Sequence, residues 1–244
     1  MSLDDVVARM RAELEPLEKS QDPKRYFHGT YLRTTLAVGG ALGHGDFEDP
    51  SWVEHWDVVF ADLYLDALLA ERAGDQAPRP WRLAFSAPPD LPPLRHVLLG
   101  INAHVNYDLP QALLGVISDE DFANPALMAR RQRDHVRIDT VLASRVAAED
   151  VQLEQASGSR ALLDRVLTPV NRLGSKRFLR ESREKVWHNT HALQQARLEG
   201  PQAYNERLAE LELLSAARIA DLLAPGQVLL KLAVGGFGVV LPPP

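Results

Sequence analysis

The sequence predicts an all-α fold, a single-domain helical bundle arranged around one interrupted central helix, and three observations carry that prediction. Apolar residues recur at three- and four-residue intervals along most of the 244 residues, the spacing that lines one face of a helix. Alternating apolar–polar stretches, the mark of a half-buried strand, are almost absent. The most apolar long segment of the first half, Leu94–Leu113 (LRHVLLGINAHVNYDLPQAL), keeps helical spacing until it meets Pro110. No heptad run or longer internal repeat is present, so one domain over 1–244 is expected.

Composition narrows the function classes. Hydrophobic residues at 45% and charged residues at 25% are values of an ordinary soluble domain. A formal charge of −6, from 33 acids against 27 bases, argues against a nucleic-acid surface. The absence of cysteine removes disulfides, thiolate nucleophiles, zinc–thiolate sites and iron–sulfur clusters. The start, MSLDDVVARMRAELE, has no apolar signal core. No segment approaches the ~20 apolar residues of a membrane span. A cytoplasmic protein is the expectation.

Each element follows from its own signals. Residues 3–18 put Val6, Val7, Met10, Leu14 and Leu17 on one side, with acids in the first turn. Asp22-Pro23 breaks that helix. The next, over 25–42, turns Phe27, Tyr31, Thr34, Thr35 and Val38 inward with His28 beside them, and the loop Gly43–Pro50 ends it. Asp49-Pro50 then provides an N-cap and a first-turn proline for a helix to about Arg72. Its stripe is Val53, Phe60, Ala61, Tyr64, Ala67 and Leu68, and Asp57 falls inside it, whereas Asp62, Asp66 and His55 lie opposite. A proline-rich connection, 74–93, holds one short helix at Trp81–Ala87 and leads into the central segment. After the loop Ser118–Asn124, helices are expected over 125–155, 160–173, 175–198 (joined near Gly174) and 201–223. Arg130, Arg131 and Arg133, interleaved with acids, read as a solvated face. The apolar tail, 228–244, is broken by glycines and expected to pack over the bundle as partly extended chain.

The central segment holds the candidate chemistry. Asn102, His104, Asn106 and Asp108 lie within an otherwise apolar helix, and buried polar groups must find partners. His104 and Asp108 are one turn apart and share a face. Pro110 has no N–H for the carbonyl of Asn106, so the helix is expected to stop or kink at Asp108 and to restart at Pro110. Freed carbonyls there would favour a cation or a protonated imidazole. Three readings stand side by side. His104 and Asp108, with His28, Asp57, His188 or His191, form part of a site for one divalent metal. Alternatively, His104 held by Asp108 or Asp57 is a general acid–base pair, with Tyr31, Tyr64 or Arg183 holding a substrate oxyanion and Asn102 and Trp187 lining the pocket. In the third, the polar groups only satisfy one another and fix helix register. There is no nucleotide or flavin motif: Gly39-Gly40 and Gly235-Gly236 lack phosphate-loop context, and no Gly-x-Ser-x-Gly elbow occurs.

The octapeptide NAHVNYDL, with FADLYLDAL upstream and an Arg-x-x-x-Trp helix downstream, resembles an uncharacterised bacterial family, mostly actinobacterial, known only as a domain of unknown function. The match runs through Asn102–Leu109, the helix around Asp57, Phe60 and Tyr64, and the helix around Arg183 and Trp187. The resemblance implies an all-helical fold and shared polar positions, and no activity. A weaker likeness is to the all-helical zinc-dependent phospholipases C, but Ala112 stands where a further histidine would follow His104 and Asp108, so no multi-zinc site is implied. The leading expectation is a small-molecule enzyme of hydrolase, cyclase or isomerase type acting on a substrate with an apolar body. The alternative is a non-catalytic helical module that binds a hydrophobic ligand or a protein partner.

Overall fold

Pro110 shapes the centre of the molecule. In the computed structural model, helix α5 (Pro93–Ala103) does not stop before it but widens into a π turn at His104–Asp108, then resumes as α6 (Leu109–Val116). The N–H of Leu109 reaches back to the carbonyl of His104, five residues away. A π turn of this kind inserts one residue into the helical ladder and is common at functional positions. The interruption is therefore present in a different form from a stop. The His104 carbonyl is paired, and the helix restarts one residue earlier than the proline.

The structure describes residues 2–138, 140, 141, 162–226 (backbone only before 181), 232, 236 and 238–243. The remaining helices surround the central rod: α1 (Leu3–Lys19), α2 (Lys24–His44), α3 (Pro50–Ala73), α4 (Arg79–Phe85), the single turn α7 (Asp119–Phe122), α8 (125–138), α9 (Leu162–Glu199) and α10 (Pro201–Leu223). No strand occurs among the described residues. Helix α2 packs on α5 and α3 on α6, while α9 packs on α6 and α10 on α5, so the π turn lies between two helical layers.

Local chemistry fixes the ends. Ser2 and Asp5 form a reciprocal capping box at α1. Asp49 accepts from the N–H of Trp52 ahead of Pro50. Gly45 and Gly74 close α2 and α3 with φ of 76° and 80°, the left-handed conformation that glycine adopts without strain. Gly174 does not divide α9, which runs unbroken from Leu162 to Glu199. One glycine in a helix interior costs about 1 kcal/mol, too little to end a helix of this length. The expected linker Ala156–Ser159 lies outside the described residues.

Two segments are tied down by polar contacts that periodicity does not reveal. Asp134 of α8, fully buried, accepts from the N–H groups of Glu48 (2.8 Å) and Asp49 (2.9 Å). Arg131 is not solvated: it is buried and pairs with Asp49. The tail over 238–243 has no regular secondary structure and docks on the π turn, α9 and α10. Asn189 donates to the Val239 carbonyl (3.0 Å) and accepts from the Leu241 N–H (2.9 Å). Asn106 accepts from the Val239 N–H (3.2 Å), and Leu241 is fully buried among Tyr107, Leu114, Leu193 and Leu211. No described helix is long and apolar enough to cross a membrane.

Candidate active site

The π turn brings His104 Nδ1 to 2.8 Å from Asp108 Oδ2, and Trp81 Nε1 donates to the same oxygen at 2.9 Å. Both partners are almost fully buried. Burial pushes the His104 imidazole well below the ordinary histidine range and the Asp108 carboxyl well above the ordinary carboxylate range, although the Trp81 N–H opposes the second effect. Both displacements disfavour a charge on either partner. A protonated imidazole, expected if the helix had ended in free carbonyls, is not what this surround favours.

His104 Nε2 and Asp57 Oδ2 are buried and have no hydrogen-bond partner, and the buried hydroxyls of Tyr31 and Thr35 have none beyond each other. These groups converge through Tyr31. Its ring meets the imidazole edge-on at 4.5 Å. Its hydroxyl lies beside that of Thr35, one turn along α2, and within the field of Asp57 on α3. Burial keeps the Tyr31 phenol protonated, well above its ordinary range, and raises the Asp57 carboxyl to about 7. Two buried polar atoms without a partner, His104 Nε2 and Asp57 Oδ2, depart from the rule that such groups are paired.

Around them stands an aromatic wall. Phe60 lies face to face on the imidazole with centroids 3.5 Å apart. Phe27 (6.0 Å), Tyr64 (6.0 Å) and Trp81 (5.9 Å) complete it. The imidazole is thus covered by rings, and Phe60, itself only partly buried, is the cover nearest to solvent. Gly100 allows this packing, since a Cβ there would fall 2.3 Å from Phe27 Cγ.

Of the residues that the sequence singles out, His104, Asp108 and Tyr31 meet here with the ring of Tyr64, and Asp57 acts on the cluster through its field at Tyr31. The others are placed elsewhere. Asn102 donates to the Leu98 carbonyl (2.9 Å) and its oxygen takes the amide of Asn106 (3.3 Å), so it braces the helix and the tail. Both nitrogens of His28 are engaged: Nε2 donates to the Met10 carbonyl (2.7 Å), and Nδ1 accepts from the Tyr64 hydroxyl (2.8 Å). His28 is therefore a strut behind Tyr64 and not a free metal ligand. Among the described residues no group of three His, Cys, Asp or Glu side chains is disposed to hold a metal, so the donor set does not fit the one-metal reading. Arg183 and Trp187 lie in a different cluster, with His135. Sequence reasoning missed Trp81 and Phe60 as functional neighbours. Trp81 was legible only as the lone tryptophan of the proline-rich connection, and Phe60 as one more residue of an apolar stripe.

A model of a family described as "Family of unknown function (DUF5995)" matches residues 3–225. No curated protein and no solved structure matches the chain.

Proposed function

The chain belongs to that family of unknown function, and we propose that it is a small-molecule enzyme that moves a proton within the buried cluster at the π turn. In this reading Asp57, whose carboxyl titrates near neutrality, is the general base. The Nε2–H of His104 and the hydroxyl of Tyr31 are the donors that stabilise the oxyanion formed when the proton leaves. Asp108 and Trp81 fix the imidazole tautomer. The observation that carries the reading is that His104 Nε2 and Asp57 Oδ2 are buried without a partner, with the Tyr31 hydroxyl, whose neighbour is Thr35, electrostatically coupled to Asp57. Perturbed groups of this kind concentrate at active sites. The aromatic wall suits a substrate with an apolar body, which enters where Phe60 now stacks. Of the reaction types open at the level of sequence, this favours an isomerase or cyclase.

The test is incubation of the chain in D2O with a mixture of small aliphatic and aromatic carbonyl compounds, read by mass spectrometry. The expected result is chain-dependent deuterium incorporation that Asp57→Asn abolishes and His104→Gln reduces in folded protein. Incorporation unchanged in both variants would overturn the assignment.

The ring packing favours a second reading, a non-catalytic helical module in which the cluster fixes helix register. The two readings part on Asp57→Leu. An unpartnered carboxyl kept for chemistry is held at the expense of stability, so its removal stabilises the fold. A carboxyl kept for structure gives the opposite.

A further inference from the structure

A cleft of about 230 Å³ lies between α1, α2 and α5. One side of it is a face of α2, where Tyr26, Gly29, Thr30 and Arg33 follow at three- and four-residue steps and Arg25 stands one turn before Gly29. Glu18 of α1 and Val97 of α5 complete the lining. A Cβ at position 29 would come within 3.3 Å of Arg33 Nη1, so the glycine leaves a guanidinium room to lie across the helix. The cleft is smaller than the about 300–1,000 Å³ of pockets that take drug-sized ligands. It has room for a small molecule.

Arg25 is the charge that this cleft leaves unanswered. Its side chain is half-buried. Nη2 donates to the Tyr26 hydroxyl at 2.8 Å, and the guanidinium lies 4.4 Å from the centroid of the same ring. Both contacts are to a neutral group. Nη1 is buried with no hydrogen-bond partner, and no carboxylate pairs with Arg25 among the described residues. A guanidinium drawn out of water without an anion is held at a cost that a bound anion offsets. Two hydroxyls stand ready beside it. The Tyr26 oxygen accepts from Arg25 and the Thr30 oxygen from Arg33 Nη2 (3.1 Å), which leaves each hydroxyl its proton to donate. Arg33 has partners of its own, so the unmatched charge is that of Arg25. A carboxylate matches one such charge and takes the fork of an arginine through two N–H groups. A phosphate group, carrying about −2, is left short, and Glu18 on the same lining repels it further.

We propose that this cleft binds a small molecule carrying one carboxylate, with Arg25 as the counter-charge and the Tyr26 and Thr30 hydroxyls donating to its oxygens. The site shares no residue with the π-turn cluster and its readout is binding, so it stands independently of the proton-transfer reading. The experiment is isothermal titration calorimetry of the full chain with butyrate, whose short apolar body suits the Val97 side. One saturable isotherm is expected with butyrate, and none with butyramide. Arg25→Lys, which keeps the charge and loses the fork, weakens binding about tenfold, the scale of one hydrogen bond to a charged group. Glu18→Gln, at an exposed position, removes a repulsion and tightens binding about twofold, the scale of an exposed charge pair. It serves should the arginine variant fail to fold. The proposal is overturned by the lack of a saturable isotherm, by inorganic phosphate binding more tightly than butyrate, by unchanged affinity in Arg25→Lys, or by binding no tighter in Glu18→Gln.

Discussion

Replacing Asp57 with asparagine should remove a pH dependence of stability that the wild-type chain carries between about pH 4 and pH 7. In the folded protein burial raises this carboxyl from 3.8 to about 7. The gap of about three pH units, at 1.36 kcal/mol each, amounts to about 4 kcal/mol. The sign follows from proton counting. Between the two values the folded state keeps its proton while the unfolded state has released it, so the contribution is complete below about pH 4 and drains as pH rises through about 7. This is the reverse of a salt-bridged carboxylate such as Glu48, held down to about 2 chiefly by its hydrogen bond with Arg133. Asparagine has no proton to lose. Urea unfolding of both chains across this range should show the variant gaining on the wild type with rising pH, by up to about 4 kcal/mol at about pH 8. Groups other than Asp57 cancel in the difference. Parallel profiles would refute the reasoning, and with it the view of Asp57 as a base poised near neutrality.

Other outcomes follow from the same geometry. Trp81→Phe removes the donor to Asp108 and leaves a smaller ring in a fully buried slot; denaturant unfolding should show a loss of about 2–4 kcal/mol. Gly100→Ala drives a Cβ into Phe27, whose own Cβ would be only 2.8 Å away, so more than a ring tip must yield. A cost of about 1–3 kcal/mol and an altered near-UV circular dichroism spectrum are expected. Leu241→Ala empties the slot that anchors the tail; a loss of about 2–5 kcal/mol and earlier proteolytic removal of residues 238–243 should follow.

What the sequence determined by itself was the helical class, the order of the elements and the place of the interruption. These depend on local chemistry: apolar spacing, the Asp49-Pro50 start, the glycine stops and a proline that lacks an N–H. The His104–Asp108 pair was legible for the same reason, since residues four apart on a helix are neighbours whatever surrounds them. Tertiary structure alone decided who else belongs to the site. Tyr31 and Asp57 come from different helices, and only packing sets Tyr31 beside His104 and within the field of Asp57 while sending Arg183 and Trp187 to another cluster. It also decided protonation. The charge of an imidazole depends on how much water and which charges surround it, so the frayed helix end inferred from Pro110 pointed to a cation where burial, once the π turn pairs the carbonyl, disfavours charge on the pair. Asn102 and His28 became struts in the same way, because their partners (Leu98 and Asn106, Met10 and Tyr64) matter only once the helices lie against one another.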